Sequence, residues 1–241
     1  MNILNLTFNI PLHPGEIPAF RSCIVDIVGK EYEVFHNHDN SGSDTSYLHW
    51  GYPLVQYSVR KGLATIIAIE EGAEIIQKVL LPKISSELNF AGKVRPILGL
   101  RINGGIHNWK ILDHHQQYGL MGWLALNKTN YLEWKTSQTQ KSRGEILNRC
   151  ITGHLRVIGK VLGVEDLNQI TGNVLQVDNQ KRISWHGTQL VRFNAMIESN
   201  LPLPIGINIG RAAAFGFGEV MPVSVYKKIT SLRPQPALVE F

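Results

Sequence analysis

Two histidines separated by one residue, His36 and His38, are the side chains of this sequence best placed to do chemistry together. In an extended backbone they point the same way, with Cα atoms about 6.6 Å apart, and can bracket one phosphate. One imidazole can take a proton while the other gives one, because both titrate near neutral pH. Cleavage of RNA beside a 2′-hydroxyl needs such an acid–base pair and a further group that steadies the phosphorane, but no metal ion.

The segment around this pair, residues 36–51, is rich in His, Asn, Asp, Ser and Gly and is predicted to be a loop. It also contains Tyr47 and His49. His-x-His is a common metal-ligand spacing as well, and Asp39 and Asp44 could supply oxygen ligands. Histidine pairs also occur in loops that have no chemical role. The residues alone therefore leave three interpretations open: an acid–base pair, a metal site and an ordinary loop.

A glycine-rich stretch, residues 206–218, is the second feature that could bind a phosphate. It lacks the Gly-Lys-Ser/Thr of a P-loop, and strand-like residues follow its last glycines where a dinucleotide fingerprint would have a helix. Glycines such as Gly210 let an RNA backbone approach closely, and Arg211 would add a cation. The alternative is a turn whose glycines only permit tight packing.

A predicted helix over residues 142–162 is the third feature, and it has two different faces. Its apolar face is formed by Leu147, Ile151, Ile158 and Leu162. Arg149, Arg156 and Lys160 fall on the opposite face around Gly153, which leaves a shallow basic groove where RNA phosphates could lie. The alternative is a solvated helix face, which is the usual meaning of a charged stripe.

Hydrophobic periodicity predicts the elements that must position these residues. In the first half, strands are predicted at 4–12, 54–59, 63–69, 85–90, 97–102 and 109–112, helices at 14–29 and 73–81, and a turn at 103–105. This β-α-β-β-α-β order with an extra hairpin is the ferredoxin-like pattern. In the second half, strands are predicted at 170–177, 182–186, 191–198 and 220–226. The sequence therefore predicts an α+β protein of two small domains, residues 1–115 and 116–241.

The composition limits the class of protein. The 241 residues include 24 Lys and Arg against 19 Asp and Glu, a net charge of +5 that permits nucleic acid as partner without establishing it. With 44% hydrophobic and 18% charged residues, intrinsic disorder is excluded. Cys23 and Cys150 are too few for a disulfide scaffold and, like His154, are predicted to pack within helices. No apolar run approaches the roughly 20 residues of a membrane span, and the start lacks a signal peptide, so we expect a cytoplasmic protein with no membrane partner.

Three segments, taken in chain order, together resemble one family. They are Phe35-His36-Asn37-His38 before Tyr52-Pro53-Leu54-Val55-Gln56-Tyr57, then Trp123-Leu124-Ala125-Leu126-Asn127 through Asn130-Tyr131, and finally Gly206 to Arg211 through Phe215-Gly216-Phe217-Gly218-Glu219-Val220. With these segments the sequence resembles the CRISPR-associated repeat-processing endoribonucleases, in the b-type branch of the sixth Cas family of the RAMP superfamily. The resemblance covers about residues 1–226. Where members of this branch usually have a tyrosine two residues before the Tyr-Pro tyrosine, this chain has Trp50 beside His49.

The resemblance implies tandem ferredoxin-like domains and a metal-independent endoribonuclease, without a cofactor, that binds and cuts the repeat of a CRISPR precursor transcript. It implies His36 and His38 as the acid–base pair, with Tyr47 or His49 orienting or stabilising, and products with 2′,3′-cyclic phosphate and 5′-hydroxyl ends. The RNA-binding residues would be Arg149, Arg156, Lys160, Gly210 and Arg211. Other Cas proteins and a second copy of the chain are further partners that it suggests. A non-cutting RNA-binding RAMP subunit of an effector complex and a histidine-ligated metalloenzyme are the alternatives.

Overall fold

The computed structural model describes residues 2–35, 51–185, 187–232 and 239–240. The chain forms two compact units, one of residues 1–107 with 214–216 and the other of residues 108–213 with 217–241. The sequence places the boundary slightly later, near residue 115. No helix in the described part of the chain is long and apolar enough to cross a membrane.

The first unit is built around a four-stranded sheet. Its elements are β1 (Asn2–Pro11), α1 (Ile17–Val28), β2 (Val55–Arg60), β3 (Leu63–Ile69), α2 (Glu71–Ile75), α3 (Leu81–Lys83), β4 (Glu87–Phe90), β5 (Lys93–Pro96) and β6 (Leu100–Ile106). The sheet has the order β2-β3-β1-β6 with antiparallel neighbours, while β4 and β5 form a separate hairpin. With β6 as the fourth strand this is the ferredoxin-like order, so the predicted fold is confirmed for this unit.

The core of the first unit follows directly from the sequence pattern. Alternate residues of β1, including Leu6 and Phe8, are fully buried, as the period of a strand requires. On α1, Phe20 and Ile24 are four residues apart and also fully buried. The rings of Phe8 and Phe20 meet edge to face with centroids 5.7 Å apart, which joins the sheet to the helix.

One predicted turn in this unit is wrong. Residues 103–105 lie inside β6, where Gly104 pairs with Leu4 of β1. A Cβ at Gly104 would come 3.2 Å from the carbonyl oxygen of Ile3. The glycine therefore allows a close approach between neighbouring strands. The sequence Asn-Gly-Gly alone does not distinguish this role from a turn.

The second unit repeats the ferredoxin-like sheet. Its elements are β7 (Gln116–Trp123), α4 (Lys128–Thr136), α5 (Gln140–Val161), β8 (Gly172–Trp185), β9 (Thr188–Ser199), β10 (Glu219–Met221), α6 (Val223–Ser231) and β11 (Val239–Glu240). The strand order is β10-β7-β9-β8-β11. Between β9 and β10 the glycine-rich stretch replaces the second helix of the pattern, and α6 follows β10. Each unit thus has a ferredoxin-like sheet, and the two together form the predicted tandem α+β fold.

Four predicted strands in the second unit differ from the structure. The strands predicted at 170–177 and 182–186 are one strand, β8, whose register against β9 shifts at two bulges. The strand predicted at 220–226 ends at Met221, because Pro222 has no N–H for the ladder and α6 begins after it. Residues 109–112 form no strand, although Trp109 is buried.

Candidate nucleic-acid interface

The four residues predicted to carry catalysis, His36, His38, Tyr47 and His49, lie outside the residues that the structure describes. The described chain ends before them at Phe35, whose ring is buried. Their roles therefore stay predictions. The site that can be built from coordinates is the predicted RNA-binding surface of the second unit.

The Tyr-Pro-x-x-Gln-Tyr motif after the pair is packed into the protein. Tyr52 is 6% exposed, and Tyr57 is completely buried. Gln56, also completely buried, donates from Nε2 to the carbonyl oxygen of Pro53, 3.3 Å away. Burial raises the pKa of both tyrosines, so both phenols are neutral at physiological pH. The buried side chains of this motif therefore anchor the start of β2 in the protein interior.

Helix α5 has the two faces that the sequence predicts. The hydroxyl of Thr139 accepts the N–H of Ser142 over 3.1 Å and caps the first turn. Leu147, Ile151 and Ile158 are buried, and Leu162 is half-buried just beyond the helix end. Arg149, Gly153 and Lys160 are exposed, and Arg156 is half-buried. The predicted basic stripe is thus present on α5. Whether each of its cations can bind an anion depends on the partners that it already has.

Two of the three cations on α5 already have partners. The Arg149 guanidinium pairs with the Glu133 carboxylate of α4 over 2.5 Å. Arg156 donates to two backbone carbonyl oxygens of the segment after α5, at 3.4 Å each. Among the described residues, the Lys160 side chain forms no ion pair or hydrogen bond. Lys160 is therefore the most available cation, whereas Arg149 and Arg156 would have to exchange contacts to bind RNA.

Close packing explains two glycines of the stretch 206–218. Gly210 has φ 91°, and a Cβ there would lie 2.7 Å from the indole Nε1 of Trp123. Gly218 has φ 78°, and a Cβ there would overlap the carbonyl oxygen of Ile209. Both positions combine a left-handed backbone with no room for a side chain, so the tight-packing interpretation holds for these two glycines.

Arg211, the predicted cation of this stretch, is exposed but fixed at two points. Its backbone N–H donates to the carbonyl oxygen of Leu124 over 3.1 Å, and Nη1 donates to that of Leu126 over 2.9 Å. Within the described part of the chain, no carboxylate pairs with it. A guanidinium has five N–H donors, so Arg211 keeps both its charge and most of its donors for an anion.

His154 on α5 is packed, as the sequence predicts. Its ring meets Trp123 edge to face with centroids 5.9 Å apart, and Nδ1 accepts the indole N–H over 3.2 Å. Burial and, to a smaller extent, the charge of Arg211 lower the pKa of His154 to about 4. The imidazole is therefore neutral at pH 7, with its proton on Nε2.

The hairpin of β8 and β9 carries a further basic and aromatic surface that the sequence analysis misses. Lys181 pairs in register with Arg192, so the two cations share one face of the hairpin. Trp185 lies on the same face and contacts Phe217 of the glycine-rich stretch edge to face, with centroids 5.0 Å apart. Lys181 and Arg182 shortly before Trp185 could have indicated this surface in the sequence. Only the strand register shows that Arg192 lies beside Lys181.

The metal-site interpretation stays a prediction for residues 36–51. Among the described residues, no group of three His, Cys, Asp or Glu side chains could hold a metal ion. The histidines at 36, 38 and 49 are not among those residues. The metal-site interpretation therefore concerns that segment alone.

Two family models match the chain in the order of its two units. Residues 1–95 match the Cas6b N-terminal domain, and residues 110–223 match the Cas6b C-terminal domain. Among curated proteins, an uncharacterized protein of Methanocaldococcus jannaschii is 24% identical over 138 residues, which are 57% of this chain and 92% of that protein.

Two solved structures share the fold. A crystal structure of Cas6b is 21% identical with a TM-score of 0.76, over 92% of this chain and all of that chain. A crystal structure of a CRISPR RNA processing endoribonuclease, Cas6b, is 18% identical with a TM-score of 0.68, over 92% of this chain and all of that chain. At these identities the likeness shows a common architecture, in which both ferredoxin-like units are present.

Proposed function

The chain belongs to the Cas6b family of CRISPR RNA-processing endoribonucleases, and from this premise we propose that it binds the repeat of a precursor transcript and cuts it once per repeat without a metal ion. The observation that carries the proposal is the match of both family domains, at residues 1–95 and 110–223. The His36 and His38 pair falls within the first of these ranges. An acid–base pair in a family of RNA-cutting enzymes supports transesterification better than metal-assisted hydrolysis.

In the proposed reaction, the 2′-oxygen of the scissile nucleotide attacks the adjacent phosphorus. One histidine takes the hydroxyl proton, and the other donates a proton to the 5′-oxygen as the P–O5′ bond breaks. The products are a 2′,3′-cyclic phosphate and a 5′-hydroxyl, and the two imidazoles end with exchanged protonation states. Tyr47 or His49 would orient the RNA or stabilise the phosphorane.

The second unit supports the RNA-binding part of the proposal. Arg211 is exposed, has no carboxylate partner among the described residues and is fixed next to Gly210. Lys160 is exposed on α5, and Arg149 and Arg156 complete its stripe by giving up intramolecular contacts. Contacts of this kind suit a folded RNA, because A-form helices are recognised mainly through their backbone.

Incubation of repeat RNA with the purified protein in EDTA tests the mechanism. We expect cleavage with cyclic-phosphate ends, and we expect replacement of the scissile 2′-hydroxyl by hydrogen to abolish cutting while binding remains. His36→Ala and His38→Ala should each slow cleavage by about 10²- to 10⁴-fold. His107→Ala, a histidine of the same unit outside the loop, is the matched control.

Three outcomes would contradict the proposal. Cleavage that requires a divalent ion would show that the mechanism is wrong. Tight binding with no product would identify a non-cutting RNA-binding RAMP subunit. A stoichiometric metal in the purified protein, lost on substitution of His36 or His38, would identify a histidine-ligated metalloenzyme.

A further inference from the structure

A chain of contacts in the second unit connects helix α5 to the glycine-rich stretch. His154 accepts the indole N–H of Trp123 at Nδ1 over 3.2 Å. Trp123, the last residue of β7, is completely buried. The same edge of its indole lies against Gly210, where a Cβ would come within 2.7 Å of both Cδ1 and Nε1. The indole edge that bonds His154 therefore also supports the backbone of the stretch.

Arg211 is tied to the residues that directly follow Trp123. Its N–H donates to the carbonyl oxygen of Leu124 over 3.1 Å, and its Nη1 donates to that of Leu126 over 2.9 Å. Gly210 and Arg211 are adjacent, so the support from the indole and these two hydrogen bonds act on one short piece of backbone. A rotation of the Trp123 ring would displace Gly210 and, with it, the guanidinium of Arg211.

His154 has the chemistry needed to hold this indole in place. An indole N–H can only donate, so its partner must be an acceptor, and a neutral imidazole offers one at Nδ1. Burial keeps the imidazole neutral by lowering the pKa of His154 to about 4. A leucine of similar volume would leave the N–H of the buried indole unpaired. The positive charge of this cluster accordingly stays on Arg211.

We propose that His154 is a positioning residue for RNA binding, which fixes Gly210 through the Trp123 indole and so holds the Arg211 guanidinium where a phosphate of bound RNA meets it. The proposal rests on the proposed function, because RNA is the ligand. His154 acts through Trp123 and Arg211, not through contact with RNA.

Substitutions at one position separate this role from general packing. His154→Leu removes the acceptor, and His154→Gln keeps one. His115→Leu is the matched control, since His115 also makes one side-chain hydrogen bond in this unit, to Thr171 Oγ1 over 2.9 Å. For each variant, the affinity for a fluorescein-labelled RNA carrying one CRISPR repeat is measured from about 50 to about 300 mM NaCl. Hydrogen exchange of peptides covering residues 206–218 is measured without RNA.

We expect His154→Leu to weaken RNA binding about five- to tenfold. It should lower the slope of log affinity against log salt by about 0.7–0.9, the value of one phosphate contact. Exchange in residues 206–218 should become faster. His154→Gln and His115→Leu should match the wild type in all three measurements. In an Arg211→Ala background, His154→Leu should weaken binding little further, because the two residues act as one unit.

Unchanged exchange of residues 206–218 in His154→Leu would overturn the link to the stretch, whether or not RNA binds. Faster exchange with unchanged affinity would overturn the role in RNA binding. If the wild type itself fails to bind repeat RNA, the proposed function is wrong, and the exchange measurement still decides the link. Should His154→Leu fail to fold, His154→Met, a flexible side chain with only a weak acceptor, gives the same comparison.

Discussion

The side chain of Arg21 on α1 donates from Nε to the carbonyl oxygen of Phe35, 3.1 Å away, and Phe35 is the residue immediately before His36. The Phe35 ring is 1% exposed, and its N–H donates to the carbonyl oxygen of Tyr32 over 3.1 Å. Both backbone groups and the ring of Phe35 are therefore held. The hydrogen bond from Arg21 thus fixes the peptide carbonyl that comes directly before His36 in the sequence.

The hydrogen bond from Arg21 to Phe35 predicts that substitution of Arg21 slows cleavage. Arg21→Gln should slow single-turnover cleavage of repeat RNA by about tenfold, because small displacements of reacting groups are costly. RNA affinity should change by less than about twofold, since Arg21 lies in the first unit and the described residues that we propose to bind RNA lie in the second.

Arg95 provides the control for Arg21. Both guanidiniums lie over a phenylalanine ring within the first unit, Arg21 over Phe215 at 4.9 Å and Arg95 over Phe90 at 4.4 Å. Arg95 also donates to a backbone carbonyl oxygen, that of Pro11, over 2.8 Å. Arg95→Gln should lower the thermal midpoint and leave the cleavage rate unchanged. Equal losses of rate in both variants would mean that Arg21 only supports the fold.

The lowered pKa of the half-buried His154 imidazole predicts a pH dependence of stability. Its pKa is about 4 in the folded protein, against an ordinary value of 6.5. As the pH falls from about 6.5 to about 4, the unfolded chain takes up a proton that the folded chain does not, so folding is destabilised. Relative to His154→Gln, the wild type should lose roughly 3 kcal/mol over this range and nothing above it. Urea unfolding at a series of pH values measures this, and a difference that does not vary with pH would refute the lowered pKa.

Alanine substitutions at Gly218 and Gly187 distinguish the stability cost of steric overlap from that of a left-handed backbone. Both have positive φ, 78° and 74°, but only at Gly218 would a Cβ overlap another atom, the carbonyl oxygen of Ile209. Gly187→Ala should cost about 1 kcal/mol for the left-handed backbone alone. Gly218→Ala should cost roughly 2–4 kcal/mol, because the chain must also shift. Denaturant unfolding compares them, and equal losses would show that the stretch has room for a side chain.

Gly153 tests the groove on α5. It is exposed, and a Cβ there would meet no atom within 4 Å. Gly153→Ala should therefore stabilise the protein by about 0.5–1 kcal/mol, because alanine is the better helix former. If RNA phosphates lie between the cations of the stripe, the added methyl group should nevertheless weaken binding. A more stable variant with unchanged RNA affinity would show that this face of α5 is an ordinary solvated surface.

The three cations of α5 should respond differently to substitution by alanine. Lys160→Ala should lower the salt slope of RNA binding by about 0.7–0.9 with little change in stability. Arg156→Ala should lower the free energy of unfolding, because Arg156 holds two carbonyl oxygens after the helix. Arg149→Ala should have a smaller effect on the slope than Lys160→Ala, since Arg149 is paired with Glu133. A salt slope unaffected by Lys160→Ala would remove α5 from the RNA-binding surface.

The sequence predicts those parts of the fold and site that depend on residues close together in the chain. The alternation along β1 and the spacing of Leu147, Ile151 and Ile158 on α5 reflect local periodicity, and the structure confirms both. The family likewise follows from residue types in a given order. The turn predicted at residues 103–105 is wrong, because its glycines pair with β1, a strand about 100 residues earlier in the chain.

By itself, then, the sequence determined two ferredoxin-like units, a two-faced helix, a histidine pair and the family to which the chain belongs. Only the tertiary structure decided which side chains have partners. Arg149 and Lys160 look alike in the helical pattern, yet Glu133 neutralises the first alone. Trp123 and His154 meet although they are 31 residues apart, and Arg211 joins them from the glycine-rich stretch. The physical reason is that hydrogen bonds, burial and charge pairing depend on distances between elements, which a local pattern of residue types does not specify.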